Sequence, residues 1–441
     1  KWRDLFSRAA RAEKIPRLPK VALNDRVKRG FADGGYWYLL GGALSLAGLI
    51  LAHNAISLMF LPLIFLYASF LVWKSKKRRL LIANCVLLIL FGFALSAFFW
   101  APALLEGKYT LRDKVTAGSV SDRFSSPMQF LYGSWSYGGT GQLSVQVGLI
   151  QWFFVVMALP LLLVRWLKDK KKPILLLSSL LIFFFTLFLM TPFSGFIWDK
   201  VSLLQKFQFP WRFLSLSVFL SALIGGVVMS ELVIKLSGSR VIKLSGYKVI
   251  KFNKLRSILG LDNFRLYNFI TILFVILILL ANKDYWHAKG YLQKPESFYT
   301  GIYDSTTDTG ESAPIWSVRF MEKRAKARME VYDGVAEITE LERRSTYHRY
   351  AIDASKRTLI RENTLYFPGW KILVDGVPVP VQYQSQDNRG VMTFFVEKGK
   401  HDVVVKFEET KLRLLADWVS GVSLLILLGV GIMKMRSKGD R

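Results

Sequence analysis

Two residues that could take part in group transfer stand where long apolar stretches of the sequence end. Glu106 follows Pro102 and an uncharged stretch, and Arg212 lies beside Trp211 at the start of another apolar stretch. A carboxylate can accept the proton of an attacking hydroxyl group. The planar fork of an arginine can bind a phosphate through paired hydrogen bonds. These residue types would therefore suit transfer of a group from a phosphate ester.

A third polar feature is His53 with Asn54, which interrupts the otherwise apolar stretch 36–73. Strongly polar side chains are costly in lipid unless they face a cavity or a partner. We predict that His53 and Asn54 contact a substrate at the membrane boundary. The alternative is a cap that satisfies backbone groups where two helices meet.

The residues at the other two positions also have structural alternatives. Glu106 could be an exposed carboxylate at the membrane interface, without a chemical role. Arg212 next to Trp211 could be an interfacial anchor, because arginine and tryptophan are both common at that depth.

Motifs of soluble enzymes are missing from the sequence. It has no phosphate-binding glycine loop, no HExxH pair and no nucleophile elbow. The four histidines are scattered, and the single cysteine, Cys85, lies within an apolar stretch. We predict no metal site and identify no cofactor, and a bound divalent metal stays an open alternative.

The stretch Leu80–Trp100 sets the orientation of the whole chain. It holds 21 residues without a charge and follows the basic run Lys74–Arg79. At about 1.5 Å per residue such a helix crosses a hydrocarbon layer of about 30 Å. Basic flanks stay in the cytoplasm, so this helix is predicted to deliver Glu106 to the outer face.

The sequence predicts an α-helical polytopic membrane protein with about eight spans and both ends of this chain in the cytoplasm. A basic cytoplasmic segment, 1–35, precedes a multi-span domain, 36–281, and an outer domain, 282–413, precedes a final span and a cytoplasmic tail, 434–441. The spans are predicted near 36–52, 55–73, 80–100, 148–167, 174–190, 211–232, 266–281 and 414–433.

The outer domain is predicted to be a mostly β, extracytoplasmic sandwich. Short runs rich in β-branched and aromatic residues alternate with turn signals between residues 328 and 407. Asp375-Gly376 between two such runs is a strong hairpin signal. Seven or eight short strands at this spacing are typical of an antiparallel sandwich.

The formal net charge of +28 does not indicate nucleic-acid binding. The basic excess falls mainly on the segments predicted to be cytoplasmic, as the positive-inside rule requires. We therefore expect membrane lipid, and no nucleic acid, among the partners.

Several motifs resemble bacterial polytopic proteins called YfhO-like, and the similar group labelled "6-pyruvoyl-tetrahydropterin synthase-related, membrane domain". The resemblance covers nearly the whole chain in the expected order, and it brings no pterin chemistry. The motifs are AHN (Ala52–Asn54), AFFWAPALLEGKY (Ala97–Tyr109), FQFPWRFL (Phe207–Leu214), TGESAPIW (Thr309–Trp316), YFPGWKILVDGVPVPV (Tyr366–Val381) and VEKGKHDVVVKFE (Val396–Glu408).

Both groups are similar to GT-C glycosyltransferases, which implies a function in the cytoplasmic membrane. The implied function is the transfer of a sugar from a polyprenyl-phosphate-linked donor to a cell-envelope acceptor on the outer face. The resemblance implies Glu106 as a catalytic acid and His53, Asn54, Trp211 and Arg212 as substrate-binding residues.

In the family the main catalytic carboxylate precedes the His-Asn turn. We therefore expect it upstream of Lys1, in a chain that lacks its N-terminal spans.

A second interpretation is a non-catalytic envelope protein whose outer β domain binds a glycan or a protein partner. Aromatic residues such as Trp370, Tyr383 and the pair Phe394-Phe395 could offer stacking faces, although strand aromatics more often form the core. A transporter is less favoured, because spans such as 174–190 hold no charged residue for ion coupling.

Overall fold

The computed structural model describes residues 35–116, 121–131, 144–168, 173–207, 209–236, 263–283, 293–297, 310–319 and 325–439. The predicted basic segment 1–35 lies outside the described residues apart from its last residue. The predicted cytoplasmic tail, 434–441, is described only in part.

The long helices of the described residues coincide with apolar stretches of the sequence, and the short ones lie in the connections between them. The helices of the membrane part are α1 (Gly35–Ala52), α2 (Asn54–Lys74), α3 (Arg78–Leu95), α4 (Ala97–Leu105), α5 (Arg112–Thr116), α6 (Pro127–Leu131), α7 (Leu149–Lys168), α8 (Ile174–Leu189), α9 (Gly195–Lys200), α10 (Ser202–Gln205), α11 (Leu214–Leu236) and α12 (Asn263–Ala281). A final helix, α13, spans Lys411–Gly439. Single 3₁₀ turns occur at Gly107–Tyr109, Ser121–Arg123, Pro192–Ser194 and Pro210–Phe213.

Among the described residues, five helices are long and apolar enough to cross a membrane. A bent pair, Ile174–Leu189 with Pro192–Lys200, would make a sixth, and Tyr36–Ala52 and Thr271–Ala281 are shorter apolar helices. These findings confirm a helical membrane part with several candidate spans. The count of eight spans stays a prediction.

The predicted single helix 80–100 is wrong in one respect, because the chain breaks at Ser96 between α3 and α4. The Ser96 hydroxyl donates to the carbonyl of Gly92 at 2.9 Å. Ser420 of α13 donates to Ala94 O at 3.0 Å and accepts from Phe98 N at 3.0 Å. A neighbouring helix thus satisfies backbone groups that the break sets free, which is how broken helices persist in lipid.

The helices of the membrane part pack in two groups. In one, α1 packs on α3, while α13 packs on α3 and α4. In the other, α11 packs between α7 and α8 around a core that includes Phe183 and Ile224. An ion pair between Arg165 and Glu231 joins α7 to α11 at the ends that the sequence predicts to be cytoplasmic.

The C-terminal β-sheet region is confirmed, and its strands form two antiparallel sheets. One sheet has the order β1-β4-β7 and the other β2-β3-β8-β5-β6. The strands are β1 (Met329–Asp333), β2 (Ala336–Arg344), β3 (Tyr347–Ala354), β4 (Thr358–Leu365), β5 (Trp370–Val374), β6 (Val377–Val379), β7 (Val391–Val396) and β8 (Gly399–Phe407). Its predicted extracytoplasmic location stays a prediction.

The predicted hairpin at Asp375-Gly376 is present, and Val374 pairs with Val377 across it. Both turn residues have positive φ, 52° and 81°, as a two-residue hairpin turn requires. Strand β6 is short and ends at Val379. Beyond it, Gln382 makes only an isolated bridge to Thr393.

Candidate functional site

Glu106 caps the end of α4, and its side chain is 9% exposed. Arg413 donates from Nε to Glu106 Oε2 at 2.8 Å, and Nη2 lies 2.7 Å from the same oxygen. Thr410 donates from Oγ1 to Oε1 at 2.7 Å. The carboxylate is therefore paired and hydrogen-bonded, as a buried charge must be.

Arg413 is also held by the sheet region. Nη2 donates to the carbonyl of Pro368 at 3.2 Å. Its guanidinium lies 5.5 Å from the ring centre of Phe367 and 4.9 Å from that of Phe407. The pair with Glu106 thus locks the end of α4, the start of α13 and the sandwich together.

Small side chains explain how α4 and α13 approach closely enough for this pair. Ala97 and Ala101 of α4 and Ala416 of α13 form a buried cluster. Small residues at a helix interface let backbones come together in a membrane. The sequence signal for Arg413 was weak, because a basic residue near the start of a span is ordinary.

A cleft of about 350 Å³ opens beside the pair. Its walls carry two acidic and two basic side chains: Glu106, Glu311, Arg112 and Arg413. Pro102, Ala103, Gly107, Thr110, Ser312 and Phe367 complete the lining.

Arg112 is fixed at the cleft by its neighbours. Its Nη1 donates to the carbonyl of Ala103 at 3.1 Å, and its Nε donates to Asp113 Oδ1 at 3.1 Å. Gly107 makes room for the guanidinium, since a Cβ added there would lie 2.7 Å from both Nη atoms.

Glu311 reaches the cleft because the segment 310–317 docks on the turn after α4. Leu111 N donates to Ala313 O at 2.8 Å, and Ile315 N donates to Tyr109 O at 2.9 Å. Ala313 at this contact is 1% exposed. Glu311 falls in the TGESAPIW motif, so the motif could have indicated it as a site residue, but sequence reasoning did not select it.

Aromatic rings border the same segment. Trp316 stacks on Tyr109 with ring centres 5.9 Å apart and meets Tyr366 and Tyr383 edge-on at 5.4 and 4.8 Å. Tyr366 and Tyr383 stack at 3.6 Å. Burial, and the neighbouring Tyr383, raise the pKa of Tyr366, so its hydroxyl stays neutral.

Arg212 lies in the 3₁₀ turn before α11. Its Nη1 donates to Phe207 O at 3.0 Å, and its guanidinium lies 5.2 Å from the ring centre of Phe209. Phe209 stacks on Trp211 at 4.7 Å. Arg212 is not part of the lining of the cleft that holds Glu106, so the structure does not bring these two predicted site residues together there.

His53 is exposed and caps α2, as the structural alternative anticipated. Its Nδ1 accepts from the backbone amides of Ala55 at 3.2 Å and Ile56 at 3.5 Å. The carbonyl of Asn54 accepts from the Ser57 hydroxyl at 2.7 Å. These contacts stay within one helix turn, and substrate binding by His53 and Asn54 stays a prediction.

No group of three or more His, Cys, Asp or Glu residues in the described part of the chain is arranged to hold a metal ion. The acidic residues of the cleft are instead opposed by arginines. This charge pattern suits a ligand that carries an anionic group and hydroxyl groups.

A family model described as "6-pyruvoyl-tetrahydropterin synthase related domain; membrane protein" matches residues 26–286, more than half of the chain. The match includes Glu106, Arg112 and Arg212 and ends before the sandwich. No curated protein and no solved structure matches the chain.

Proposed function

The chain belongs to the 6-pyruvoyl-tetrahydropterin synthase-related family of membrane proteins, and from this premise we propose that it is a GT-C-like glycosyltransferase. It would move a sugar from a polyprenyl-phosphate-linked donor to a cell-envelope acceptor. The observation that carries the proposal is the cleft in which Glu106, Glu311, Arg112 and Arg413 converge.

The arginines supply what the donor side of this reaction needs. In the transfer step the bond between the anomeric carbon and the phosphate oxygen breaks, and its electrons go to the phosphate. Fixed positive groups aimed at that oxygen stabilise the charge that develops there. Arg112 and Arg413 line the cleft and are the candidates for this role.

The carboxylates supply what the acceptor side needs. The acceptor hydroxyl oxygen bonds to the anomeric carbon as its proton passes to a carboxylate within hydrogen-bond reach. Both oxygens of Glu106 are occupied by Thr410 and Arg413. We therefore assign Glu106 the role of positioning Arg413, and Glu311 that of taking the proton.

The position of the cleft suits a lipid-linked donor. It lies where α4 ends and α13 begins, between apolar helices and the sandwich. The polyprenyl chain would lie along the helices while the phosphate and sugar enter the cleft. Tyr109 and Trp316 stand nearby with partly exposed rings that suit the apolar face of a sugar.

This function requires the topology predicted from the basic flanks, in the cytoplasmic membrane. The sandwich and the cleft would face the outside, and both ends of this chain would face the cytoplasm. The contact between Glu106 and Arg413 joins the cleft to the sandwich, which supports the proposal that both face the same side. A reporter fused after Thr300 should behave as extracytoplasmic, and a cytosolic signal would contradict the proposal.

The test of transfer uses the full chain in liposomes with polyprenyl-phosphate-linked glucose, mannose and N-acetylglucosamine. Incorporation of labelled sugar into cell-envelope acceptors should fall at least about 100-fold in Glu311→Gln, because a general base typically contributes 10²- to 10⁴-fold. Arg112→Gln should raise the donor KM. The exposed Glu337→Gln serves as the matched control and should leave the rate unchanged.

A parent-like rate in both Glu311→Gln and Arg112→Gln would contradict the assignment of the cleft. Binding of donor or glycan without any transfer would favour the second candidate, a non-catalytic envelope protein. The independent sandwich core supports that alternative.

A further inference from the structure

A second cleft, of about 510 Å³, opens at one end of the sandwich. Its lining includes Arg328, Arg343, Arg344, His348 and Trp370. These residues come from the start of β1, the hairpin between β2 and β3, and the start of β5. Neither the family match nor the proposed sugar transfer accounts for them.

His348 is held in this cleft by a buried carboxylate. Its ring is 3% exposed, and Nδ1 lies 2.9 Å from Oε1 of Glu362, which is fully buried. Thr364 donates to the same oxygen at 3.0 Å. Because the carboxylate accepts from Nδ1, the second ring nitrogen, Nε2, remains for a group in the cleft. A ring fixed in this way presents a preorganised hydrogen-bonding site.

Arg343 stands between this buried pair and the rim. Its Nη1 donates to the hydroxyl of Tyr350 at 2.8 Å and lies 3.6 Å from Glu362 Oε1. The side chain is 22% exposed, and Glu340 lies 3.8 Å away. The guanidinium is thus fixed in direction while part of it faces the opening.

Two further arginines add charge at the rim. Arg344 pairs with Glu342 at 2.7 Å and remains 75% exposed. Arg328 is exposed, and no ion pair to it occurs among the described residues. Three arginines and one histidine face a single acidic lining residue, Glu340. Arginine forks match the geometry of phosphate oxygens, so the cleft suits a phosphate group.

The cleft lies at the end of the sandwich from which the last apolar helix leaves. Strand β8 ends at Phe407, and α13 begins at Lys411, with only three residues between them. Trp370 of the cleft meets Phe407 edge-on at 5.3 Å, and the Arg413 guanidinium lies 4.9 Å from the centre of the same Phe407 ring. Three residues span at most about 11 Å, so the cleft lies near the membrane surface.

We infer that this second cleft binds the phosphate of a membrane lipid headgroup. The three arginines bind the phosphate oxygens, His348 accepts through Nε2 from a hydroxyl group of the headgroup, and Trp370 lies against the adjoining part of the headgroup. The same chemistry would also accept a free phosphate ion, which the experiment separates. This inference does not rest on the proposed sugar transfer.

The test uses the full chain, labelled with ¹⁵N-histidine, in a phosphate-free maltoside detergent. The sequence has four histidines, and a His348→Gln variant assigns the signal. Short-chain phosphatidylglycerol should shift the His348 ring resonance in a saturable way. Inorganic phosphate forms a second arm, and glucuronate, which carries a carboxylate, forms a third.

Arg328→Ala and Arg344→Ala should each raise the apparent dissociation constant for the lipid about tenfold. Arg357→Ala is the matched control, because Arg357 pairs with Glu397 at the turn between β3 and β4. It should leave the constant unchanged. Asp375 lies 2.6 Å from the His401 ring. The His401 resonance therefore reports whether each variant remains folded.

The outcomes distinguish a lipid headgroup from a free phosphate ion as the ligand of the second cleft. Tighter binding of phosphatidylglycerol than of inorganic phosphate supports the lipid headgroup. Equal binding of the two supports a phosphate site and overturns the assignment to lipid. Tighter binding of glucuronate, no shift with any probe at millimolar concentration, or an unchanged constant in Arg328→Ala and Arg344→Ala overturns the inference.

Discussion

Glu106 and Arg413 are separated by 307 positions in the sequence, yet Arg413 donates to the Glu106 carboxylate at 2.8 Å. The contact joins the end of one broken span to the start of the last one. Both side chains are largely buried, 9% and 14% exposed. The pair therefore organises the junction between membrane helices and sandwich, whatever the cleft beside it binds.

Removing one member of this pair should destabilise the protein strongly. Glu106→Ala or Arg413→Ala should each cost about 3–5 kcal/mol of unfolding free energy, because an unpaired charge stays buried. The double variant should cost much less than the sum. Guanidinium unfolding in detergent, analysed as a double-mutant cycle, measures this coupling.

The exposed pair of Arg349 with Asp402, at 2.9 Å, provides the matched control. Because this pair is exposed to solvent, its removal should lower the unfolding free energy far less than removal of the buried pair. An equal loss of unfolding free energy on removal of either pair would contradict the structural role of Glu106.

Gly107→Ala should weaken donor binding without unfolding the chain. The new Cβ would lie 2.7 Å from the Arg112 guanidinium, so that flexible side chain must leave its place in the cleft. We expect the donor KM to rise about tenfold, as loss of one charge-assisted hydrogen bond implies. Gly226→Ala, which meets nothing within 4 Å, is the control and should keep the parent KM.

Ser420→Ala should cost about 1–2 kcal/mol, because it leaves Phe98 N without its partner and removes one of the two hydrogen bonds to Ala94 O, which keeps only the Ser96 amide. Thermal unfolding in detergent measures the effect. Ser178→Ala is the control, since the Ser178 hydroxyl bonds only to Leu175 O of its own helix. A cost no larger than that of the control would show that Ser420 does not support the break.

The stability of the sandwich should fall as the pH drops below about 4.5. Hydrogen bonds from Lys371 and then Lys406 lower the pKa of Glu408 to about 2 from its ordinary 4.5. A lowered carboxyl pKa in the folded state adds stability above 4.5, which is lost as pH falls through 2.

Thermal midpoints recorded between pH 6 and pH 2 should therefore fall less steeply in Glu408→Gln. Lys371→Met should reproduce part of that change. If the thermal midpoint fell with pH as steeply in Glu408→Gln as in the parent chain, this would contradict the contribution of Glu408 to the pH dependence of stability.

Local features of the fold could be predicted from the sequence. The long helices could be predicted from uncharged apolar stretches, because the length and composition of a segment decide whether it suits a membrane. The Asp375-Gly376 hairpin was predictable because both residues adopt positive φ within a two-residue turn.

Long-range features were not predictable in the same way. The break at Ser96 depends on Ser420, more than 300 residues away, and no local pattern reveals such a partner. Glu106 could be selected from its position after Pro102. Arg413, Arg112 and Glu311 became visible as its neighbours only when the chain segments were brought together.

The short connection Glu408–Thr410 has a mechanical consequence. Glu408 N donates to Gly369 O at 2.9 Å, and Thr410 holds Glu106, so both ends of the connection are fastened. Rotation of the sandwich relative to the last helix about this connection would therefore require that at least one of these two hydrogen bonds break first.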